Sequence, residues 1–449
     1  MTGLGAVRPL ATAAQARLWA AEQVTAGTGE LNVPVALRLH GPLDSDALVR
    51  AVRALVTRHE SLRSTFALDT RGRLRWTAHG PEHVPVQVVD LTDRSDPHAA
   101  AQRFVEDVAW RPFDLASEVL RTAVLALAPD DHVLVCTGHH VVFDDWSVAV
   151  FFRELEVLYA AALRGLDGAR MLPPLTFGYT ELSFEEQRQR SRGALDEQVA
   201  YWVGQLAGAE PVAVPTDRPR PAVRTAHADE HPFALPGPLV TRLTEVGRAC
   251  GASPFMTLLA GFHALLRRWT GQTDITVGTL VTGRTTPERE KLITCLVNTL
   301  AIRSSAPAGV AFADLLAGIR QRTLDAFAHQ EAPYDQVVAA LPEPAPAGRR
   351  PLVQVTFELQ NTTTDVAALR GGRGELPVFR GLSTAAHPVP RLTARHDLEL
   401  ALGTGAGDAE LSGRVVYPTD LFDGGTIAAV VRDFQTLLDE VAADPHRAV

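Results

Sequence analysis

The sequence predicts an α+β fold arranged in two lobes. Apolar residues recur at helical spacing in some segments and at two-residue spacing in others, without a regular strand–helix–strand alternation. This mixture favours α+β layers over a doubly wound parallel sheet. At 449 residues the chain is too long for one ordinary hydrophobic core. We therefore expect one lobe over residues 1–176 and a second over residues 177–449, divided near a stretch rich in glycine and proline.

The elements follow from apolar periodicity and from capping and breaking residues. In the first lobe, helices are predicted over residues 13–23, 45–58, 97–109 and 147–163, with strands over 32–39, 73–77, 84–89, 120–127 and 133–136. In the second lobe, helices are predicted over 185–206, 238–250, 254–270, 312–328 and 422–441, with a further helix beginning at Pro333. Strands are predicted there over 230–235, 275–280, 352–359, 397–401 and 410–417, and residues 360–374 are predicted to be a mobile or crossing loop.

Composition and charge narrow the class of protein. A net charge of −9 without a basic stripe argues against nucleic-acid binding. The N-terminus shows no signal peptide, and no apolar run approaches the ~20 residues that cross a bilayer. Cys136, Cys250 and Cys295 lack metal-ligand spacing, so we expect buried free thiols and no metal site. The sequence therefore predicts a protein of the cytoplasm that does not bind membranes.

The stretch from Gly138 to Ser147 is the main candidate for chemistry. It begins where a buried strand ends and leads into a helix, and it contains His139, His140 and Asp144. Histidine titrates near working pH, which suits it to moving or positioning one proton. A carboxylate four residues later can pair with an arginine and hold the loop. The alternative is a buried histidine pair that only satisfies hydrogen bonds.

Segments along nearly the whole chain resemble the condensation domains of non-ribosomal peptide synthetases. HHVVFDDWS, at residues 139–147, is similar to the HHxxxDG motif of that family. The other matching segments, in chain order, are AAQARLW, RHESLRSTF, YWVGQLAG, PTDRPRPAVRT, ITCLVNTLAIR, AFAHQEAPYDQV, RRPLVQVTFELQN, HDLELAL and YPTDLFD. Their order and spacing make the resemblance specific.

The resemblance implies an architecture and a set of partners. It implies two chloramphenicol-acetyltransferase-like lobes in a V-shaped pseudo-dimer, with a central channel and the active site at their junction. The implied partners are donor and acceptor peptidyl carrier proteins loaded with thioesters, and an adjacent adenylation domain. No cofactor is implied as bound, because the substrates arrive on phosphopantetheine arms. We expect a monomer.

The implied reaction is attack of an acceptor amine on a donor thioester, which forms an amide. The catalytic pair is His140 and His139. His140 matches the second histidine of the motif and either accepts a proton from the amine or orients it, whereas His139 is predicted to pack at the strand end. Asp144 matches the aspartate of the family and is expected to form a structural salt bridge with Arg284 or Arg63.

Four further residues are predicted to line the channel or contact substrate. Trp146 and Ser147 are candidates for the channel wall, although Ser147 can instead cap the following helix. Asn298 is a candidate donor to the developing oxyanion. Asp145 replaces the glycine of the family motif. Its carboxylate either faces the channel and selects charged substrates, or points outward and caps the helix.

Two other functions are open to a chain with these motifs. An epimerisation domain shares the histidine motif, but DDWSVAVFFREL resembles condensation domains better. A non-catalytic recruitment module of the same fold, which binds a tailoring oxidase, tends to lose the histidine pair that this chain keeps. A heterocyclisation domain would replace the histidines by aspartate.

Overall fold

Contacts divide the chain into two units. The computed structural model describes residues 9–24, 27–221, 227–342, 351–360, 366–369, 375–389, 393–404 and 410–449. Unit 1 comprises residues 1–194, 284–297 and 362–390, and unit 2 comprises residues 195–283, 298–361 and 391–449. The predicted loop at residues 360–374 lies largely outside the described residues, as does part of PTDRPRPAVRT and of RRPLVQVTFELQN.

Helices and strands are numbered separately in chain order. The helices are α1 (Ala13–Val24), α2 (Ser45–Arg58), α3 (Pro97–Trp110), α4 (Asp145–Ala162), α5 (Tyr179–Ser191), α6 (Asp196–Leu206), α7 (Gly237–Ala249), α8 (Pro254–Thr270), α9 (Phe312–Ala328), α10 (Tyr334–Ala340), α11 (Val366–Leu369) and α12 (Gly424–Ala443). The strands are β1 (Asn32–His40), β2 (Ser64–Leu68), β3 (Leu74–Ala78), β4 (Val86–Asp90), β5 (Leu120–Ala128), β6 (Asp131–His139), β7 (Ala228–Leu235), β8 (Asp274–Val281), β9 (Asn298–Ser305), β10 (Val355–Leu359), β11 (Ser383–Ala386), β12 (Leu398–Thr404) and β13 (Leu411–Pro418).

Unit 1 is built on a five-stranded sheet with the order β11-β1-β6-β5-β4. All neighbouring pairs are antiparallel except β4 and β5, which are parallel. The central strand β6 is buried along almost its whole length, which accounts for its continuous apolar run in the sequence. Helix α2 spans residues 45–58 as predicted, and Asp44 caps it, because its carboxylate accepts a hydrogen bond from the Ala47 amide at 2.8 Å.

The first segment of unit 1 ends at Ala194, not at residue 176 as the sequence predicted, and unit 1 also includes residues 284–297 and 362–390 of the predicted second lobe. Helix α5 packs into the core of unit 1, where the Tyr179 ring lies 4.2 Å from the Trp76 ring. Ser183, one turn further along, accepts a hydrogen bond from the Trp76 indole at 3.0 Å. These contacts hold α5 in unit 1. The single helix predicted over 185–206 is also wrong, because Gly193 adopts a left-handed φ of 63° and separates α5 from α6.

Unit 2 contains a six-stranded sheet with the order β7-β13-β12-β10-β8-β9. Strand β10 runs parallel to both β12 and β8, and the remaining pairs are antiparallel. Helices α7, α8, α9 and α12 contribute half of the buried residues of its apolar core. Both units are therefore mixed α+β structures, as the sequence predicted.

Among the helices in the described ranges, none is by itself both long and apolar enough to span a bilayer. The pair Gly237–Ala249 and Pro254–Thr270 meets those criteria only jointly, and the two are bent by 101°.

Candidate active site

The two histidines lie at the end of β6, on a turn that backbone hydrogen bonds define. His139 is the last residue of the strand and is paired with Asn32 of β1. The His140 amide donates to the Leu31 carbonyl at 2.8 Å, and the Val142 amide donates to the His139 carbonyl at 3.0 Å. His140 is half-buried, whereas His139 is fully buried. The turn therefore leaves the His140 side chain partly exposed and buries that of His139.

Gly138 is required by the close approach of a phenylalanine. A Cβ atom at this position would lie 2.6 Å from Cγ of Phe143, which is inside any normal contact distance. Phe143 is fully buried and packs edge-on against Phe151 of α4. The glycine thus allows the chain after the histidines to fold back over the end of β6.

Both ring nitrogens of His139 bind neighbouring protein groups. Nδ1 accepts the Val141 amide at 3.0 Å, and Nε2 lies 3.2 Å from a carboxylate oxygen of Glu22. Because an amide can only donate, Nδ1 carries no proton, and the proton is on Nε2, facing Glu22. The structure therefore places His139 as a support of the turn, in agreement with its predicted packing at the strand end.

Asp144 and Arg284 form a buried bidentate salt bridge within unit 1. The guanidinium lies 2.8 Å from one carboxylate oxygen and 3.0 Å from the other, and both side chains are fully buried. The carboxylate also accepts the Ser147 amide at 2.8 Å as the cap of α4, and the Leu296 amide at 3.1 Å. A buried ion pair is stable only with such additional hydrogen bonds. Asp144 thereby fixes the start of α4 to the segment that contains Leu296.

Arg63, the other predicted partner of Asp144, binds elsewhere. Its guanidinium donates to the Val56 carbonyl at 3.2 Å and to the His79 carbonyl. These contacts join the end of α2 to the residue that follows β3. The choice between Arg284 and Arg63 depended on the path of the chain in space, which neither segment of sequence specifies.

Ser147 is fully buried, so the prediction that it lines a channel is wrong. Its hydroxyl lies 2.6 Å from an Asp144 carboxylate oxygen and 3.0 Å from the Thr294 carbonyl, and it accepts the Thr294 amide at 3.1 Å. The alternative, that Ser147 caps α4, is also wrong, because Asp144 is the cap. Ser147 instead joins α4 to the segment 284–297.

Trp146 and Asp145 occupy the first turn of α4 and are both half-buried. The Trp146 indole donates to the Glu290 carbonyl at 2.8 Å, and its ring lies 5.7 Å from the Arg284 guanidinium. Trp146 therefore covers the buried salt bridge. Asp145 is the acidic residue of that first turn, where its negative charge interacts favourably with the helix dipole.

Asn298 cannot serve as the predicted oxyanion donor in this structure. It begins β9 in unit 2, and its amide nitrogen donates to the carbonyls of Gln330 at 2.9 Å and Ala332 at 2.7 Å. Its carbonyl oxygen accepts the Tyr334 amide at 3.1 Å. Both amide hydrogens are used to hold the loop before α10, so neither is directed at a substrate.

Sequence reasoning missed Gln15 and Glu22, two buried polar residues of α1. The Gln15 amide nitrogen lies 3.2 Å from the Val141 carbonyl and also contacts the Tyr179 hydroxyl. Glu22 binds His139, as described above. The signal was present, since a glutamine and a glutamate seven residues apart lie on one face of a helix, but nothing in the sequence showed which strand end that face meets.

The site also perturbs a nearby thiol. Burial raises the pKa of Cys295 to about 12, and the charge of Asp144 adds to this effect. The thiol therefore stays protonated at neutral pH and is a poor nucleophile. Across the described ranges, no three His, Cys, Asp or Glu side chains are placed to hold a metal ion.

Comparison with known proteins identifies the family. The sequence profile of the Condensation domain family matches residues 8–449, so the chain belongs to this family. One of the linear gramicidin synthase proteins of Brevibacillus parabrevis is 37% identical over 441 residues, which are 97% of this chain and 6% of that protein. The chain thus spans only a small part of the length of this curated relative.

Solved structures confirm the fold. The X-domain from teicoplanin biosynthesis matches with a TM-score of 0.87 at 27% identity, covering 100% of this chain and 98% of that one. The same X-domain in complex with OxyB matches with a TM-score of 0.86 at 27% identity, covering 100% of this chain and 96% of that one. The first condensation domain of the calcium-dependent antibiotic synthetase, in complex with substrate analogue 2a, matches with a TM-score of 0.75 at 25% identity, covering 99% and 98%. The predicted family and mixed fold are therefore correct.

Proposed function

We propose that this chain forms an amide bond between a donor acyl or peptidyl thioester and the amine of an acceptor aminoacyl thioester. The observation that carries the proposal is the division of roles within the motif. Asp144 is buried in a salt bridge and His139 is buried at the end of β6, whereas His140, the next residue in the turn, is half-buried. The motif is thus built to hold a single imidazole in a defined position.

The chemistry requires one proton to move. The neutral amine attacks the thioester carbon, the C–N bond forms, and the C–S bond breaks as the tetrahedral intermediate collapses. The proton lost by the amine nitrogen passes to His140 and then to the departing thiolate. Proton transfer of this kind contributes about 10²–10⁴-fold to a rate, and a histidine that only orients the amine acts through positioning, which can contribute as much or more.

The proposed partners are donor and acceptor carrier proteins, each delivering its thioester on a phosphopantetheine arm, with an adenylation domain that loads them. Amine and thioester are both tethered, so their encounter is intramolecular and its entropy cost is largely met before reaction. No bound cofactor is needed for this reaction, since the thioester already supplies an activated acyl group.

The test is transfer between loaded carrier proteins. We expect the wild-type chain to form an acceptor-bound amide and His140→Ala to lose about 10²–10⁴-fold in rate, measured by mass spectrometry of the acceptor carrier. His446→Ala, which changes an exposed histidine, is the matched control and keeps wild-type turnover. Wild-type turnover by His140→Ala would contradict the assigned role.

A second candidate is a recruitment module that binds another enzyme. The observation in its favour is the higher TM-score with the teicoplanin X-domain, which has also been solved with OxyB, than with the calcium-dependent antibiotic condensation domain. No transfer with any loaded pair, together with tight binding of a tailoring oxidase, would favour recruitment over amide formation.

A further inference from the structure

One face of α1 is directed at the turn that bears His140. Leu18 and Glu22 follow Gln15 by three and seven residues, so all three lie on the same side of the helix. All three are buried, and α1 lies in unit 1 together with the end of β6. We call these three residues the inner face of α1.

Each residue of the inner face of α1 supports a different backbone group of the turn. Gln15 lies within hydrogen-bond distance of the Val141 carbonyl, at 3.2 Å. Leu18 shares a small buried apolar cluster with Leu31 and Cys295, and the Leu31 carbonyl accepts the His140 amide. Glu22 binds Nε2 of His139, and Nδ1 of that ring accepts the Val141 amide. The backbone on both sides of His140 is thus held from α1.

The contact through Glu22 is the most specific of the three. The His139 ring is fully buried, and Glu22 is 6% exposed. With Nδ1 occupied by the Val141 amide, the Nε2 proton has to be accepted by a group on the other side of the ring, and Glu22 supplies it. Replacing Glu22 by an apolar residue removes the carboxylate that faces the Nε2 proton, which favours a change of tautomer or ring orientation. Either change removes the acceptor of the Val141 amide.

We propose that Glu22 is a positioning residue for His140, acting through the His139 ring and the Val141 amide. The inference rests on the proposed amide-forming function. The carboxylate fixes the Nε2–H tautomer of His139, that tautomer fixes the turn, and the turn sets the position of the His140 imidazole. An error of about 1 Å in such a position costs about 10²-fold in rate.

The test compares variants at Glu22 with a matched buried pair. Glu154 is also 6% exposed, and its carboxylate lies 2.8 Å from Nε2 of His59, in the same unit. The same carboxylate also binds Arg58 at 3.1 Å, so Glu154→Leu removes a buried acid–imidazole contact and an ion pair away from the turn. We expect Glu22→Leu to lower kcat about 10²-fold and to leave the KM for the acceptor unchanged. Both constants are measured in the loaded-carrier assay on the folded fraction of the protein. Glu22→Gln keeps an oxygen acceptor and recovers most of kcat, and Glu154→Leu keeps the wild-type kcat.

A kcat for Glu22→Leu equal to that of Glu154→Leu would overturn the proposal. A second measurement does not depend on turnover: nitrogen NMR of ring-labelled histidine, with His139 assigned by substitution. We expect a single Nε2–H tautomer for His139 in the wild type and in Glu22→Gln, and its loss in Glu22→Leu. If the wild type forms no amide, the proposed function fails, and this spectrum still decides the positioning: an unchanged tautomer in Glu22→Leu overturns it, and a lost tautomer supports it.

Discussion

Asp144 combines two structural tasks in one carboxylate. It caps the first turn of α4, and it pairs with Arg284 from a segment 140 residues away in sequence. The sequence predicted Ser147 or Asp145 as the cap, and the structure assigns that local task to Asp144, a residue type common at caps. For the distant task the sequence predicted an arginine partner, and only the fold shows that it is Arg284. A single side chain thereby sets both where α4 begins and where residues 284–297 lie.

We expect Arg284→Ala to destabilise the protein by about 3–5 kcal/mol, because it leaves the Asp144 charge buried without its partner. The measurement is the free energy of unfolding in denaturant. Arg170→Ala is the control in the same unit. Arg170 is 87% exposed and pairs with Asp167 at 3.4 Å, so its removal costs less than about 1 kcal/mol. Similar unfolding free energies for the two variants would contradict a structural role of the Arg284 pair.

At the scale of elements, the end of β6 depends on a close contact between Gly138 and Phe143. The strand was predicted from its apolar run, and the structure extends it to His139. The path of the chain beyond the strand was not predicted in detail. The chain reverses there because a residue without Cβ lets an aromatic ring fold back onto the strand end.

Gly138→Ala is expected to destabilise unit 1 by about 1–3 kcal/mol, because the added methyl group forces Phe143 or the backbone to move. It should also lower the rate of amide formation, since the displaced turn carries His140. Thermal unfolding and the loaded-carrier assay measure the two effects. The control is Gly204→Ala in α6, where an added Cβ meets no atom within 4 Å. Stability equal to wild type in Gly138→Ala would show that the close contact is not required.

At the scale of the whole molecule, acid stability depends on a histidine far from the motif in sequence. His263 lies in α8 and is fully buried, and in the part of the chain that the structure describes neither ring nitrogen has a hydrogen-bond partner. Burial lowers the pKa of His263 to about 3, with a smaller contribution from the charge of Arg267. The folded state therefore holds this imidazole neutral, whereas the unfolded chain binds a proton below about pH 6.5.

The sign of the effect follows from the lowered pKa. Above about pH 6.5 His263 is neutral in both states and does not lower the unfolding free energy. Unfolding free energy is lost progressively as pH falls from there toward about 3, because only the unfolded chain binds the proton. Between about pH 7 and about pH 5, this single group removes about 2 kcal/mol of unfolding free energy. Over this pH range we expect the unfolding free energy of His263→Leu to fall by about 2 kcal/mol less than that of the wild type. Denaturant unfolding at a series of pH values measures the difference. The exposed His446→Leu should keep the wild-type pH dependence; equal pH dependence in His263→Leu and wild type would contradict the assignment.

The sequence by itself determined the mixed α+β class, most of the elements, the family, and the pairing of Asp144 with one of two arginines. These depend on local periodicity, on capping and on ordered motifs, which are properties of neighbouring residues. The tertiary structure alone decided that Arg284 is the partner, that α5 belongs to unit 1, that Ser147 and Asn298 are used in packing, and that α1 supports the histidine turn. Each of these depends on which distant segments meet. Hydrogen-bond donors such as those of Asn298 and Arg63 can satisfy many acceptors, and only the folded chain shows which ones lie within reach.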